Sequence, residues 1–202
     1  MKISYTEEEA KHLFFTSDTH FGHENIIKFC NRPFANAKEM NETLINNWNR
    51  VVGPDDTIFH LGDFAFGGSY LWNNMLDRLN GHIHLIIGNH DRKNLRQGYV
   101  QKFDGIYPQL QLSIDGRSVY LNHYPFLCYG GSYRGDKNAV WQLFGHVHSG
   151  VFSNKGKDMS RLSILFPYQY DVGVDNNNFT PLSWEDVKIR IKNNIEFYDG
   201  RS

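Results

Sequence analysis

The amino-acid sequence predicts an α/β domain built on mixed β-sheets. Short apolar runs alternate along the chain with stretches in which apolar residues recur at helical spacing, a pattern typical of α/β proteins. One Asp-Gly pair lies between two runs of alternating polarity and indicates an antiparallel hairpin, so the sheets cannot be all parallel. The length of 202 residues, without repeats or linker-like stretches, predicts a single domain over 1–202.

The first half of the chain alternates predicted strands with predicted helices. Short apolar runs indicate strands at 13–15, 57–61 and 83–87. Between the first two strands, apolar residues recur at helical spacing over 37–51. Asn36, followed three residues later by Glu39, gives this helix a start that resembles a capping box. A second helix is expected over 69–80, before the third strand.

The second half predicts a hairpin, two further strands and a closing helix. The strands are expected at 110–114, 117–121, 140–144 and 170–174. The first two flank Asp115-Gly116, a pair that favours a type I′ turn. Ser183 is a favourable N-cap for the last helix, and Asp186 occupies the third helical position.

Composition and charge exclude several classes of protein. Lys and Arg (21) nearly balance Asp and Glu (22), so no extended nucleic-acid surface is expected. No apolar run is long enough to span a membrane, and the acidic amino terminus does not resemble a secretory signal. The two cysteines, Cys30 and Cys128, do not suggest a disulfide framework, and a cytoplasmic location is expected.

Residues able to bind metal ions follow five of the predicted strands. In chain order these are Asp18 and His20, then Asp63, then Asn89, His90 and Asp91, then His123, and last His146 and His148. In open α/β sheets the functional crevice lies outside the carboxyl ends of the strands, so the fold would bring these residues together. A single Asp or His at a strand end is most often a turn or structural residue. Recurrence at five strand ends is what predicts a shared site.

The chemistry of these side chains predicts two divalent metal ions. Aspartate, asparagine and histidine form an oxygen and nitrogen ligand set, which suits Mn²⁺ best here, with Fe, Zn²⁺ or Ni²⁺ as alternatives. Seven of these nine residues, without His90 and Asp91, would be too many ligands for one tetrahedral ion, but they fit two ions that share a bridging carboxylate. Two aspartates and two divalent ions leave a charge of about +2, which would attract a hydroxide nucleophile and an anionic phosphate.

The ordered motifs identify a family. Asp-x-His, Gly-Asp, Gly-Asn-His-Asp, His and Gly-His-x-His occur in this order between Asp18 and His148, and this set resembles the calcineurin-like metallophosphoesterases. The segment 171–175 is similar to the family's last strand, while 21–27 and 31–34 are similar to a small single-domain branch from bacteria and phages. The resemblance implies two packed mixed β-sheets flanked by helices, a four-layer sandwich.

The resemblance also implies a role for each motif residue. One metal ion would take Asp18, His20, Asp63 and His148. The other would take Asp63, Asn89, His123 and His146, with Asp63 as the bridge. His90 is expected to act beside the scissile phosphate rather than as a ligand, donating a proton to the leaving oxygen or stabilising its charge. Asp91 is expected to orient His90, with capping of the following turn as the alternative.

The positions of several other polar residues indicate whether each is structural or a candidate substrate contact. Gly81-His82-Ile83-His84 repeats the Gly-His-x-His pattern, but it precedes a strand and is expected to be structural, as is His60 within its own strand. His23 either faces the substrate phosphate or caps the next helix. Arg92 and Arg134 are candidate phosphate contacts, and the loops at 126–138 and 154–161 are either pocket walls or surface loops.

The preferred function is a phosphodiesterase acting on a small phosphorylated substrate, for which a nucleotide is one candidate. The alternatives are a phosphomonoesterase or protein phosphatase, and a binding scaffold of the same fold. The blocks Gly62-Asp63-Phe64-Ala65-Phe66-Gly67 and Gly88-Asn89-His90-Asp91 depart from the protein phosphatase pattern, which has an arginine in the first block and glutamate after the histidine. Intact ligand positions argue against the scaffold. Oligomeric state is not predicted.

Overall fold

The computed structural model describes residues 2–96, 102–134, 138–151 and 162–200. Within these ranges, ten strands form two five-stranded sheets. The first sheet contains, in spatial order, β1 (Lys2–Tyr5), β6 (Leu110–Ile114), β7 (Arg117–Leu121), β8 (Trp141–Phe144) and β9 (Gln169–Asp171). Its pairs are parallel except for the β6–β7 hairpin. At the hairpin turn Asp115 and Gly116 both have positive φ, 48° and 75°, which confirms the predicted turn geometry.

The second sheet carries most of the strands predicted in the first half of the chain. It contains, in spatial order, β10 (Leu182–Ser183), β2 (Leu13–Thr16), β3 (Thr57–His60), β4 (His82–Ile86) and β5 (Gly105–Tyr107). Here β10 is antiparallel to β2, and the other pairs are parallel. Both sheets are therefore mixed, as predicted. The carboxyl ends of β2, β3 and β4 meet at one edge of the second sheet.

Helices flank the two sheets. In the described part of the chain they are α1 (Glu7–Ala10), α2 (Glu24–Phe29), α3 (Ala37–Val51), α4 (Ser69–Leu76), α5 (Arg92–Arg96) and α6 (Trp184–Asp199). The predicted bounds of α3 and the predicted N-cap of α6 at Ser183 are confirmed, and Asp186 completes a capping box with Ser183. The helix α4 ends at Leu76 instead of continuing to residue 80. No helix in the described ranges has the length and apolar character needed to cross a membrane.

Two hydrophobic cores follow from strand alternation. Leu13 and Phe15 of β2 face the first sheet and pack into a core with residues such as Leu112 and Leu143. Phe14, between them in sequence, points to the other face and joins a core with α3, where Trp48 is almost fully buried. Successive residues of a strand point to opposite faces, so β2 serves both cores. The result is the layered sandwich that the sequence implies.

The last predicted strand is shorter than expected. The strand β9 ends at Asp171, and 174–176 form a short 3₁₀ turn instead. The reason is that the chain leaves the first sheet here: Gly173 forms an isolated bridge with Ser17, and the Val174 N–H donates to the Ser17 carbonyl. This crossover ties the end of β9 to the end of β2, where the first two predicted ligands lie.

Candidate metal centre

The predicted ligands lie on loops with an unusual backbone. Five of the seven have positive φ although none is glycine: Asp18 (59°), His20 (49°), Asp63 (56°), His146 (71°) and His148 (47°). Left-handed backbone at a non-glycine residue costs about 1–3 kcal/mol and persists where surrounding contacts enforce it. Such residues cluster at functional sites. Their concentration in the predicted ligand set therefore marks these loops as a functional site, independently of the sequence motifs.

Small residues let these loops approach one another. A Cβ atom on Gly88 would clash with the Asp63 carboxylate, and a Cβ atom on Gly145 would clash with Asp18 and Ser17. Glycine is the residue that permits such close approach of backbone to a functional group. Gly88 and Gly145 are therefore required for the ligand loops to pack together.

The first cluster consists of Asp18, His20 and His148, all of which are buried. One ligand atom from each lies within 4.8 Å of the other two. Asp18 Oδ1 is 4.0 Å from His20 Nε2 and 3.9 Å from His148 Nε2. These separations are too long for hydrogen bonds and of the size expected between ligand atoms that surround one ion. The cluster matches three of the four ligands predicted for one metal ion.

The second cluster consists of Asp63, His123 and His146, whose ligand atoms also lie within 4.8 Å of one another. Asn89 joins it, because its Oδ1 lies 3.0 Å from His123 Nε2. Asp63 Oδ2 lies 3.5 Å from His123 Nε2 and 3.6 Å from His20 Nε2 of the first cluster. The Asp63 carboxylate therefore lies between the two clusters, within 4 Å of a histidine nitrogen in each.

Hydrogen bonds to the far side of two rings fix which nitrogen faces the centre. His123 Nδ1 lies 2.8 Å from the Leu61 carbonyl, and His148 Nδ1 lies 2.7 Å from Asp175 Oδ2. Because each partner accepts a hydrogen bond, Nδ1 carries a proton in both rings, and Nε2 is the nitrogen that can offer a lone pair to a cation. His123 Nε2 faces the Asn89 and Asp63 oxygens, and a cation would join these three ligand atoms.

Two buried atoms at the centre lack hydrogen bonds. Among the described residues, neither Asp18 Oδ1 nor His20 Nε2 has a hydrogen-bond partner. An unsatisfied buried polar group costs about 1–3 kcal/mol, and more when it is charged. Both atoms belong to the first cluster, and a divalent cation would satisfy both. The residues present therefore fit the metal ions that the sequence predicts.

The electrostatics of the centre also favour cations. The pKa of Asp63 is raised to about 7, mainly by burial; the charge of His123 opposes this rise, and the negative charges of Asp18 and Asp91 add to it. Burial alone would raise the pKa of Asp18, but the charges of His148 and His123 outweigh it and lower that pKa. Two carboxylates are thus held close together in a buried place, where nearby positive charge stabilises the ionised forms.

His90 and Asp91 occupy the loop after β4. The His90 side chain is 42% exposed, and its Nε2 lies 3.9 Å from Asp63 Oδ2, so it faces the centre without entering either cluster. Asp91 is buried, and its carboxylate accepts the N–H groups of Gly88, Asp63 and Phe64 at 2.8, 2.8 and 2.9 Å. These bonds hold the loops after β3 and β4 together. Asp91 was predicted to orient His90, but its hydrogen bonds go to main-chain amides and not to the His90 ring.

Of the three predicted substrate contacts, the structure brings one to the site. His23 stacks on Phe66 with ring centroids 4.1 Å apart, and its Nδ1 lies 3.2 Å from His20 Nδ1. It occupies the N-cap position of α2, but its side chain makes no capping hydrogen bond. Arg92 is exposed at the start of α5. It is Lys93, not Arg92, that lines the groove beside His90.

Arg134 lies elsewhere. It lines a cavity of about 760 Å³ together with Asp115 and Arg117, at the turn of the β6–β7 hairpin. The strand β7 has five residues and spans about 16 Å, and His123 follows its opposite end. The structure therefore does not bring Arg134 to the centre. The prediction assumed that a loop following His123 stays near it, whereas this loop returns along the sheet to the hairpin.

None of the three histidines expected to be structural belongs to either cluster. His82 and His84 occupy the amino end of β4, where His82 Nδ1 lies 3.2 Å from Asp104 and His84 stacks between Phe59 and Tyr107. His60 is the last residue of β3 and is fully buried. These positions agree with the structural roles expected from the sequence.

Two grooves adjoin the centre. The first, of about 460 Å³, reaches His146 and has a mainly apolar lining that includes Leu127 and Ile164. The second, of about 300 Å³, reaches His90 and is lined by Phe66 and Lys93. Leu127 belongs to the loop 126–138, part of which is therefore a pocket wall. The loop 154–161 lies outside the described residues.

Sequence reasoning missed three residues that touch the centre. Tyr124 lies with its Oη 3.4 Å from Asn89 Oδ1 and its ring centroid 4.7 Å from that of His146. Its position directly after His123 was an available signal. Arg32 and Asp175 form a buried ion pair behind His148. They are 143 positions apart in the chain, so no local pattern indicates their contact.

Comparison with known proteins agrees with this centre. The family model for the calcineurin-like phosphoesterases matches residues 11–186, a range that contains every predicted ligand. The chain belongs to this family, and the resemblance inferred from the motifs is confirmed. Family membership and the ligand clusters together define a phosphoesterase that binds divalent metal ions.

Individual relatives are similar over much of the chain. An uncharacterized protein of Methanocaldococcus jannaschii is 39% identical over 139 residues, which cover 68% of this chain and 69% of that protein. The Gene 66 protein of Mycobacterium phage D29 is 26% identical over 202 residues, covering 87% and 90%. A crystal structure of a protein of unknown function from Aquifex aeolicus superposes with a TM-score of 0.66 at 27% identity, covering 88% of this chain and 97% of that one. The phage relative is consistent with the small branch suggested by the sequence.

Proposed function

We propose that the protein is a phosphodiesterase that uses two divalent metal ions. The observation that carries the proposal is the position of Asp63, whose Oδ2 lies 3.6 Å from His20 Nε2 in one cluster and 3.5 Å from His123 Nε2 in the other. One carboxylate within reach of two ligand sets is the arrangement that a pair of ions requires. Ions bound there would polarise the phosphate and lower the pKa of water, which is the chemistry they supply in two-metal phosphoesterases.

The ligand set supports Mn²⁺ as the working ion. Its members offer carboxylate and amide oxygens and imidazole nitrogens, and the two clusters at the centre contain no thiolate. Carboxylate and carbonyl oxygens suit Mn²⁺, and imidazole also accepts Fe, Ni²⁺ or Zn²⁺. The choice among these ions is decided by a metal titration.

His90 is the proposed proton donor. Its imidazole is partly exposed and lies 3.9 Å from the Asp63 carboxylate, so a phosphate held at the centre would come within reach of Nε2. Burial lowers the pKa of His90, while the charges of Asp91 and Asp18 oppose this effect. A negatively charged phosphate would also raise the pKa. His90 would then hold its proton until the leaving oxygen develops charge.

The two grooves favour a diester over a monoester. A diester carries two substituents, and grooves meet the centre at two different side chains, His90 and His146. We assign the leaving group to the His90 groove, because the leaving oxygen must be protonated. The retained substituent then occupies the groove beside His146. The lining of that groove includes Leu127, with 64% exposure, and Ile164, with 62%, which suits an apolar or aromatic substituent. A nucleotide is one small substrate of this kind.

The test is a paired hydrolysis assay. Protein stripped of metal and reloaded with Mn²⁺ is offered bis(p-nitrophenyl) phosphate and p-nitrophenyl phosphate, with Asp63→Asn as the inactive variant and Asp104→Asn as the matched control. Asp104 is a partly exposed carboxylate that contacts His82, outside the centre. We expect Mn²⁺-dependent diester turnover that Asp63→Asn abolishes and Asp104→Asn retains. Turnover of the monoester alone would make the protein a phosphomonoesterase, and absence of metal binding would support the scaffold alternative.

A further inference from the structure

Arg32 is a buried cation that none of the assigned roles uses. It follows α2 in the chain and is 4% exposed. Its Nη2 donates to the Asp18 carbonyl at 2.8 Å, and its Nη1 donates to the Thr19 carbonyl at 3.1 Å. Asp18 has a left-handed backbone and is a proposed metal ligand. Arg32 therefore holds the main chain of the first ligand loop.

The same guanidinium binds the carboxylate that orients His148. Arg32 Nε lies 2.8 Å from Asp175 Oδ1, and Arg32 Nη2 lies 2.7 Å from Asp175 Oδ2. Asp175 Oδ2 also accepts the hydrogen bond from His148 Nδ1 at 2.7 Å. The Arg32 and Asp175 side chains are fully buried. A continuous chain of charge-assisted hydrogen bonds thus runs from Arg32 through Asp175 to His148, which faces Asp18 with its other nitrogen.

We propose that Arg32 and Asp175 are positioning residues that set the metal affinity of the cluster Asp18, His20 and His148. The inference rests on the proposed function, because it assigns the pair a role toward one of the two proposed ions. Asp175 fixes the tautomer and orientation of His148, and Arg32 fixes Asp175 and the Asp18 backbone together. Outer partners of this kind commonly change metal affinity 10–100-fold when removed.

The geometry of the guanidinium group explains why the cation is arginine. Two parallel N–H donors of the planar group match both oxygens of the Asp175 carboxylate. A further N–H remains free to donate to the Asp18 carbonyl. A lysine ammonium is a single point charge and cannot hold the Asp175 carboxylate and the Asp18 carbonyl in one plane. Replacing Arg32 by Lys therefore keeps the buried charge and removes the positioning.

A competing explanation for these residues is a third metal site. Cys30, His148 and Asp175 also place ligand atoms within 4.8 Å of one another. However, both Asp175 oxygens already accept hydrogen bonds from the Arg32 guanidinium, and His148 Nδ1 is committed to Asp175. A cation at this place would lie against the guanidinium charge, which disfavours it by Coulomb repulsion. We therefore assign this group to the support of His148.

The experiment is a calorimetric titration of metal-free protein with Mn²⁺, comparing the wild type with Asp175→Asn and Arg32→Lys. Each substitution is also combined with His146→Ala, which leaves the first cluster complete and the second incomplete. The affinity measured in this combination is therefore that of the first cluster. Asp171→Asn is the matched control, because Asp171 is buried in the same segment but hydrogen-bonds Ser149 and Gly173. Thermal unfolding of each metal-free variant reports any general loss of structure.

We expect Asp175→Asn and Arg32→Lys to weaken the first-cluster affinity about 10–100-fold, with the second site changed less than about 3-fold. Asp171→Asn should leave both affinities within about 3-fold of the wild type. Unchanged first-cluster affinity in folded Asp175→Asn would overturn the inference, and so would an equal loss in Asp171→Asn. If Asp175→Asn does not fold, Arg32→Lys decides by the same criterion. Failure of the wild type to bind Mn²⁺ would instead contradict the proposed function.

Discussion

The Asp91 carboxylate accepts the main-chain N–H of Asp63 at 2.8 Å, so the residue after the Gly-Asn-His motif holds the proposed bridging ligand in place. The same carboxylate accepts the N–H groups of Phe64 and Gly88. Burial raises the pKa of Asp91, and these three amide donors oppose the rise by stabilising the charged form. Asp91 therefore joins two ligand loops through their backbones.

Removing the Asp91 charge should destabilise the fold as well as the site. Asn at position 91 would place its amide N–H₂ against backbone donors that now share two carboxylate oxygens. We expect Asp91→Asn to lower the free energy of unfolding by about 2–4 kcal/mol, since buried charge-assisted hydrogen bonds are lost. Urea denaturation of metal-free protein measures this, with Asp104→Asn as the control. Unchanged stability with reduced turnover would instead favour the originally predicted role of orienting His90.

Loss of the His90 imidazole should separate metal binding from turnover. His90 lies near Asp63 but outside both ligand clusters, so His90→Ala should bind Mn²⁺ as the wild type does. Its kcat should fall about 10²–10⁴-fold, the usual contribution of a general acid. The loss should be larger for diesters with an alkoxide leaving group than for those with p-nitrophenolate, which needs less protonation. An equal loss for both leaving groups would contradict the proton-donor role.

The apolar groove beside His146 should recognise the retained substituent of the diester. Leu127→Ser should raise KM for phenyl p-nitrophenyl phosphate about 5–10-fold, because about 1–1.5 kcal/mol of apolar contact is lost. Methyl p-nitrophenyl phosphate, which has the same leaving group, should be unaffected. Ile189→Ser is the control, since Ile189 is a similarly exposed apolar residue on α6. Equal effects of Leu127→Ser on both substrates would remove the groove from substrate recognition.

His60 should make the fold sensitive to acid. Burial is the main cause that lowers its pKa from 6.5 to about 3, with the charge of Asp18 opposing the shift. In the folded protein Nδ1 accepts the Gly62 N–H, and Nε2 lies 2.9 Å from Thr19 Oγ1. The folded pKa lies below the unfolded one, so the stabilisation is complete above about pH 6.5 and is lost progressively as pH falls toward 3. We expect the free energy of unfolding to fall by about 1 kcal/mol per pH unit between pH 6 and 4.

The control for this pH dependence is His60→Asn, which keeps an acceptor for the Gly62 N–H but does not titrate. The variant should be less stable than the wild type at pH 7 and should lose less stability between pH 6 and 4. Urea denaturation at several pH values measures both curves. Parallel curves for the wild type and the variant would show that other groups cause the acid sensitivity.

The grouping of the candidate ligands could be predicted from the sequence, because placing residues at strand ends needs no knowledge of side-chain packing. The helix from Ala37 to Val51 was predictable for a similar reason, since its apolar spacing and its cap at Asn36 are local signals. The strands β1, β5 and β10 contain two to four residues each and lack an apolar run such as Leu13-Phe14-Phe15 of β2. They form because neighbouring strands offer unpaired backbone groups, which is a tertiary effect.

The missed parts of the site share one cause. Arg32 and Asp175 meet across 143 positions of sequence, and only the crossover at Gly173 brings Asp175 beside the first ligand loop. Arg134 is the converse case, because it is close to His123 in sequence yet lies at the hairpin turn. Proximity along the chain predicts strand-end residues well and loop residues poorly, since loops are free to run in either direction over the surface.

The most direct test of the central claim is electron paramagnetic resonance of the Mn²⁺-loaded protein. If Asp63 bridges two ions, the wild type should give the spectrum of an exchange-coupled Mn²⁺ pair at two ions per chain, and Asp63→Asn should lose the coupling. The Asp104→Asn control should retain it. A spectrum of isolated Mn²⁺ ions in the wild type, or saturation at one ion per chain, would contradict a dinuclear centre built on Asp63.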